Sequence, residues 1–158
     1  MALQFGTSTA LTITAANLGS ASNRSSAAVT TDTTKNITQI LVTVRCLMTV
    51  TQTSGAKQII VYGYMSEDGT NYLGASANID NVDGTDKALT ALGSPSALKV
   101  LGIIPTNNTT NAITLTGVFE IVQVFGAPPP KWGIVLFNDC GTALGATISA
   151  SYRIVYYS

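Results

Sequence analysis

The sequence predicts an all-β protein: a single-domain antiparallel β-sandwich, jelly-roll-like, with about eight strands over residues 1–158. Three observations carry this. Apolar residues recur with period two in most of the ordered-looking stretches, turn residues separate those stretches, and no ten-residue segment combines helical spacing with caps.

Residues 37–50 are the clearest strand. Ile40, Val42, Val44, Cys46, Met48 and Val50 form one apolar face, against Leu41, Thr43, Arg45, Leu47 and Thr49 on a mixed one. After a Ser54-Gly55 turn, residues 57–66 are rich in Ile, Val and Tyr, as strands are. Asp68-Gly69 signals a hairpin, with a short strand resuming at Tyr72-Leu73. Residues 113–125 alternate again through Ile113, Leu115, Phe119 and Ile121. Residues 132–137 and 146–157 supply two more strands, and residues 10–15, 27–33 and 98–105 three weaker ones. The best helical candidate is the short stretch 87–92. Residues 1–28 form a candidate extended N-terminal arm, because 17–28 are rich in Ser, Ala, Asn and Gly; residues 78–95 form a second long loop.

Composition narrows the function. Hydrophobic residues make up 46% of the chain and charged residues only 10%, with eight basic and eight acidic groups in balance. Soluble domains average roughly 25% charged, and a neutral surface resists association poorly. The expectation is a chain that buries part of its outside against other copies or other proteins. Nucleic acid is not an expected partner, since no two basic residues lie closer than ten positions apart. No membrane partner is expected either, because no apolar run approaches the ~18 residues of a spanning helix. Residues 1–14 carry no leader pattern, which points to synthesis in a cytoplasm.

The chain has no histidine, which removes Ser-His-Asp and Cys-His catalysis and most zinc sites. Phosphate-cradling glycine motifs are missing as well. No enzyme activity, catalytic residue or cofactor is therefore expected. A two-carboxylate glycosidase needs no histidine, and Glu120 is its one candidate, placed mid-strand beside Val118, Val122 and Val124. The plainer reading pairs Glu120 with Arg45 or Arg153 across strands, or leaves it exposed. Asp80, Asp83 and Asp86 are candidate calcium ligands, although their spacing fails the EF-hand pattern and turn formation explains them equally. Cys46 reads as a small core residue and Cys140 as part of a turn, with a single bridge between them left open. Tyr62, Tyr64, Tyr72, Trp132, Tyr152, Tyr156 and Tyr157 read either as core and interface or as a sugar-stacking platform.

Ser66-Glu67-Asp68-Gly69-Thr70-Asn71-Tyr72 resembles a hairpin common in bacteriophage head and tail β-proteins. The stretch from Pro128-Pro129-Pro130 and Trp132 through Asn138-Asp139 and Gly141 to Tyr152-Arg153-Ile154-Val155-Tyr156-Tyr157 is similar to small phage structural proteins, with a proline-led strand and a final aromatic strand. The resemblance implies a non-enzymatic virion protein, closest to a capsid decoration (cement) protein. It further implies a homotrimer that contacts the major capsid protein or another virion protein and resides in the virion. A tail or neck protein fits the same residues. A carbohydrate-binding β-sandwich module is the alternative of a different class.

Overall fold

The computed structural model describes residues 1–48, 57–72, 81–89, 98–106 and 112–158. In chain order the elements are β1 (Leu3–Phe5), β2 (Thr9–Leu11), β3 (Ser22–Ser25), β4 (Val29–Thr30), β5 (Asn36–Met48), β6 (Gln58–Ser66), β7 (Lys99–Pro105), β8 (Ile113–Glu120), α1 (Ile121–Phe125), β9 (Lys131–Asp139) and β10 (Ile148–Tyr157). They form two antiparallel sheets. One runs β1-β10-β5-β8, with β2 also on β10; the other runs β3-β9-β6-β7, with β4 also on β9. The protein is an all-β sandwich.

Among the described residues, ten strands occupy eight positions. β1 and β2 are two pieces of one strand along β10, and β3 and β4 are two pieces of one strand along β9. Numbered by position, the sheets read 1-8-3-6 and 2-7-4-5, the double Greek key of a jelly roll. The second break has a visible cause. At Ser26 the backbone leaves the ladder, and the Ser26 hydroxyl accepts the Ile134 N–H at 3.0 Å in place of a main-chain carbonyl. No buried donor is orphaned by the interruption.

The period-two stretches of the sequence face the inner layer. From β5 come Ile40, Val42, Val44, Cys46 and Met48, all fully buried, and they meet Ile59 and Val61 of β6 and Trp132, Ile134 and Leu136 of β9. Trp132 and Tyr152 meet edge to face across the two sheets, with ring centroids 5.3 Å apart. Cys46 and Cys140 are both free and both buried in this core. Burial pushes the Cys46 thiol up to about 12, with the Cys140 sulfur adding to the effect; burial likewise raises Cys140, helped by Asp139.

β9 is buried on both faces, because the outer face of its sheet is covered. Tyr64, Val82, Leu89, Leu98 and Val135 form a second, smaller core there, joined by Tyr62 and Tyr72. Tyr64 fits because its cross-strand partner is Gly133, where any Cβ would collide with the phenol ring. The Tyr64 hydroxyl donates to the Ser26 carbonyl at 2.7 Å, so the covering layer is tied back to the break between β3 and β4.

Several expectations are corrected. Residues 1–28, read as an extended arm, contribute β1, β2 and β3 and so pair with both sheets; main-chain pairing at the sheet margins needs no strong apolar pattern. The strand expected over 113–125 ends at Glu120, where its side chain caps a five-residue helix. Asp68-Gly69 does form a turn, with the Asp68 carboxylate accepting the Thr70 and Asn71 N–H groups, but not a tight hairpin. β6 pairs next with β7, far along the chain, and Tyr72 is not in a strand; Leu73 lies outside the described residues. Of the helical candidate 87–92, residues 87–89 are not helical and the rest lie outside the described residues.

Replacing Gly133 by alanine forces the Tyr64 ring out of its seat. We expect Gly133→Ala to lower stability by about 1–3 kcal/mol in urea unfolding, as overpacked cores do.

Candidate functional site

The covered sheet and the bare sheet differ in what they offer a partner. Over the β3-β9-β6-β7 sheet, residues 81–89 are fixed in place. Ser25 Oγ donates to the Thr85 carbonyl at 2.8 Å, and the Asn23 side chain accepts the Leu89 N–H at 2.8 Å. Arg24 reaches Asp86 with Nε to Oδ1 at 2.6 Å and with a second nitrogen to the Asp86 carbonyl at 3.0 Å. Gly84 takes a left-handed φ of 79°, and the Tyr72 ring occupies the space a side chain there would need. The described part of this long loop is therefore wall rather than free arm.

No described element packs over the outer face of the β1-β10-β5-β8 sheet. It carries Leu41, Thr43, Arg45 and Leu47 from β5, Thr114, Thr116 and Val118 from β8, and Ser149, Ser151 and Arg153 from β10. Val118 is 62% exposed and borders a shallow hollow of about 190 Å³ with Leu41, Thr43 and Arg153. The margins of the sandwich are apolar as well. On one side β7 and β8 lie together and expose Val100, Ile103, Ile113 and Val118; on the other, β1 exposes Leu3 and Phe5, the latter at 63%, beside Tyr157 of β10. Apolar side chains clustered at unprotected sheet edges mark association sites. Sequence reasoning missed them because alternation identifies a strand without saying whether it ends a sheet.

The candidate residues fall as follows. Asp83 and Asp86 lie on the same docked loop, but each already has partners. Asp83 accepts the Thr85 hydroxyl and N–H and pairs with Lys87 at 2.7 Å; Asp86 pairs with Arg24 and accepts the Thr14 hydroxyl at 2.5 Å. Asp80 lies outside the described residues, and among the described residues no three Cys, Asp or Glu gather where they could hold a metal. Glu120 forms no ion pair with Arg45 or Arg153 and spends its carboxylate on backbone N–H groups. Its Oε1 accepts the Ile40 N–H at 3.1 Å and the Val122 N–H at 3.0 Å, and Oε2 accepts the Gln123 N–H. The acid ties the start of α1 to β5.

The aromatic residues do not form one platform. Tyr64 is sealed in the second core, with Tyr62 and Tyr72 packed around it. Trp132, Tyr152 and Tyr156 converge instead on a cleft of about 440 Å³, where the inner layer opens between β2 and β4. Tyr157 faces outward at the sheet margin.

No protein-family model matches the chain, and no curated protein is detectably similar to it in sequence.

The docked loop carries an acid-labile signature. Partial burial pushes Asp83 upward, but the Lys87 ammonium and the Thr85 hydroxyl and N–H outweigh it and hold the carboxyl at about 2. Burial opposes Asp86 in the same way, and Arg24 and Thr14 still bring it below the usual carboxylate range. Both groups are lowered in the folded state, so their contribution is full above the unfolded value of about 4 and is lost as pH falls through their folded values, about 2 for Asp83. Thermal melts should therefore drop across that window, with a shallower drop in Asp86→Asn, which should also cost about 1–2 kcal/mol at neutral pH. Glu120→Ala should cost about 1–2 kcal/mol through lost capping, with Glu120→Gln milder.

Proposed function

We propose that the protein is a non-enzymatic structural component of a phage virion, a capsid decoration protein that stabilises the shell by protein–protein contacts. The observation that carries this reading is the bare outer face of the β1-β10-β5-β8 sheet with its two apolar margins. A chain with no net charge has little repulsion to keep copies apart. The two margins are unlike: Phe5 and Leu3 on one side, Val118, Ile113, Ile103 and Val100 on the other. Contact between unlike edges is head-to-tail, and it terminates only when the rotation closes a ring. A closed trimer satisfies both margins and leaves the outer face, with Arg45 and Arg153 among Ser and Thr, to meet the major capsid protein. A head-to-tail contact serves a tail or neck protein equally well, and the resemblance of the 66–72 and 128–157 stretches favours the virion over other assemblies.

Light scattering across a concentration series tests the assembly. We expect a stable species near three times 16.4 kDa, which Val118→Glu and Phe5→Glu should each reduce to monomer without lowering the melting temperature, because both side chains already face solvent. A wild-type chain that stays monomeric at every concentration overturns the self-assembly.

A further inference from the structure

The cleft between β2 and β4 is a site to which the assembly reading assigns no ligand. Its floor is the inner layer itself: Trp132 of β9, Ile40 of β5, and Tyr152 and Tyr156 of β10. Elsewhere these positions are closed over by the facing sheet. Here the margin strands are short and broken, two residues long in β4 and three in β2, so Tyr152, Ile154 and Tyr156 stay half-buried at the opening while Trp132 and Ile40 lie sealed beneath them. The rim is polar, with Thr7, Thr9 and Thr30 around the mouth. Their hydroxyls face solvent, and none spends its hydrogen bonds on the rest of the described chain.

The charge at the mouth is self-cancelling. Asp32 and Lys35 are the charged residues lining the cleft, and they pair with each other at 2.8 Å. Lys35 also sits 5.2 Å above the Tyr156 ring centroid, which steadies that ring at the rim. No net charge is left to select an anion or a metal ion. A purely apolar ligand would strip water from the threonine hydroxyls without replacing it. The ligand that matches both surfaces has one apolar face of C–H groups for the aromatic rings and an edge of hydroxyls for the rim, without formal charge.

We propose that this cleft binds a neutral saccharide, with Tyr152 and Tyr156 supplying the stacking surface and Thr7, Thr9 and Thr30 the hydroxyl partners. A volume of about 440 Å³ lies within the roughly 300–1,000 Å³ of small-molecule sites, enough for a short saccharide rather than an enclosed long chain. The cleft shares Phe5 with the β1 margin of the assembly reading, whereas Val118 lies on the opposite margin, so a Val118→Glu monomer reads sugar binding apart from assembly.

The chain supplies its own reporter, since Trp132 is its one tryptophan and lies edge to face with Tyr152 in the cleft. Trp132 emission should be followed while maltose, cellobiose, lactose, sucrose and N-acetylglucosamine are each titrated to about 50 mM, a range that covers millimolar dissociation constants. Inorganic phosphate serves as the charged comparison. We expect a saturable change with at least one sugar, none with phosphate, and the same response in Val118→Glu, so a failed assembly does not mask it. Thr30→Phe, which fills the mouth from an exposed position, should weaken binding at least about tenfold at an unchanged melting temperature, and Tyr156→Ala should weaken it as well. Flat emission across the sugars overturns the proposal. So does a response to phosphate alone, or one that follows protein concentration instead of sugar, which would assign the cleft to a second copy.

Discussion

The constraint on which the rest depends is that β9 is enclosed on both faces. A strand in that position cannot present a polar side to water, and its residues from Trp132 to Leu136 are correspondingly all buried. The inner side is satisfied by the opposite sheet. The outer side needs a cover, and residues 81–89 with Tyr64 and Tyr72 supply it. Gly133 makes the cover thin enough, by letting the Tyr64 ring lie against the backbone. The Arg24–Asp86 pair and the Ser25 and Asn23 hydrogen bonds then hold the loop down. Without that cover, Tyr64 and Val135, both fully buried, would meet water.

The same enclosure explains where polarity is tolerated inside. Asn138 is fully buried, yet its amide nitrogen donates to the carbonyls of Leu18, Gly19 and Thr142, and its oxygen accepts the Cys140 N–H. One side chain thus ties the turn after β9 to the segment before β3. Ser26 works similarly at the break in the strand beside β9. These buried groups do not add much net stability each, but leaving any one unpaired would cost about 1–3 kcal/mol. They fix one arrangement of loops around an otherwise interchangeable set of Val, Ile and Leu.

Much of this fold was legible in the sequence, and for a simple reason. β5 and β10 are long and buried on one face, which imposes period two on each, while β6 and β9, covered on both faces, read as near-continuous apolar runs. β1 and β3 were not legible. Leu3-Gln4-Phe5 and Ser22-Asn23-Arg24-Ser25 are held mainly by ladder hydrogen bonds, which leave no mark on side-chain pattern. Glu120 was misplaced because Ile113, Leu115, Phe119 and Ile121 continue the odd alternation into α1, where Ile121 is buried from a helix instead of a strand. The cleft was illegible for a different reason. Tyr152 and Tyr156 occupy inward positions like any core residue, and only the shortness of β2 and β4 leaves them partly exposed.

The nesting of the strand positions has a consequence for how the chain reaches this state. Position 4 pairs with 5, 3 with 6, 2 with 7 and 1 with 8, so the pattern is one long hairpin wrapped on itself. Only β6 with β7 is an inner pair; every later pair closes a longer loop and must wait for the one inside it. During synthesis, β1 to β4 emerge first and remain without partners until β9 and β10 follow. Folding is therefore largely post-translational and slow, as for other topologies dominated by distant pairings, and Leu3 and Phe5 at the outermost turn of the wrap are the last apolar groups to find their place.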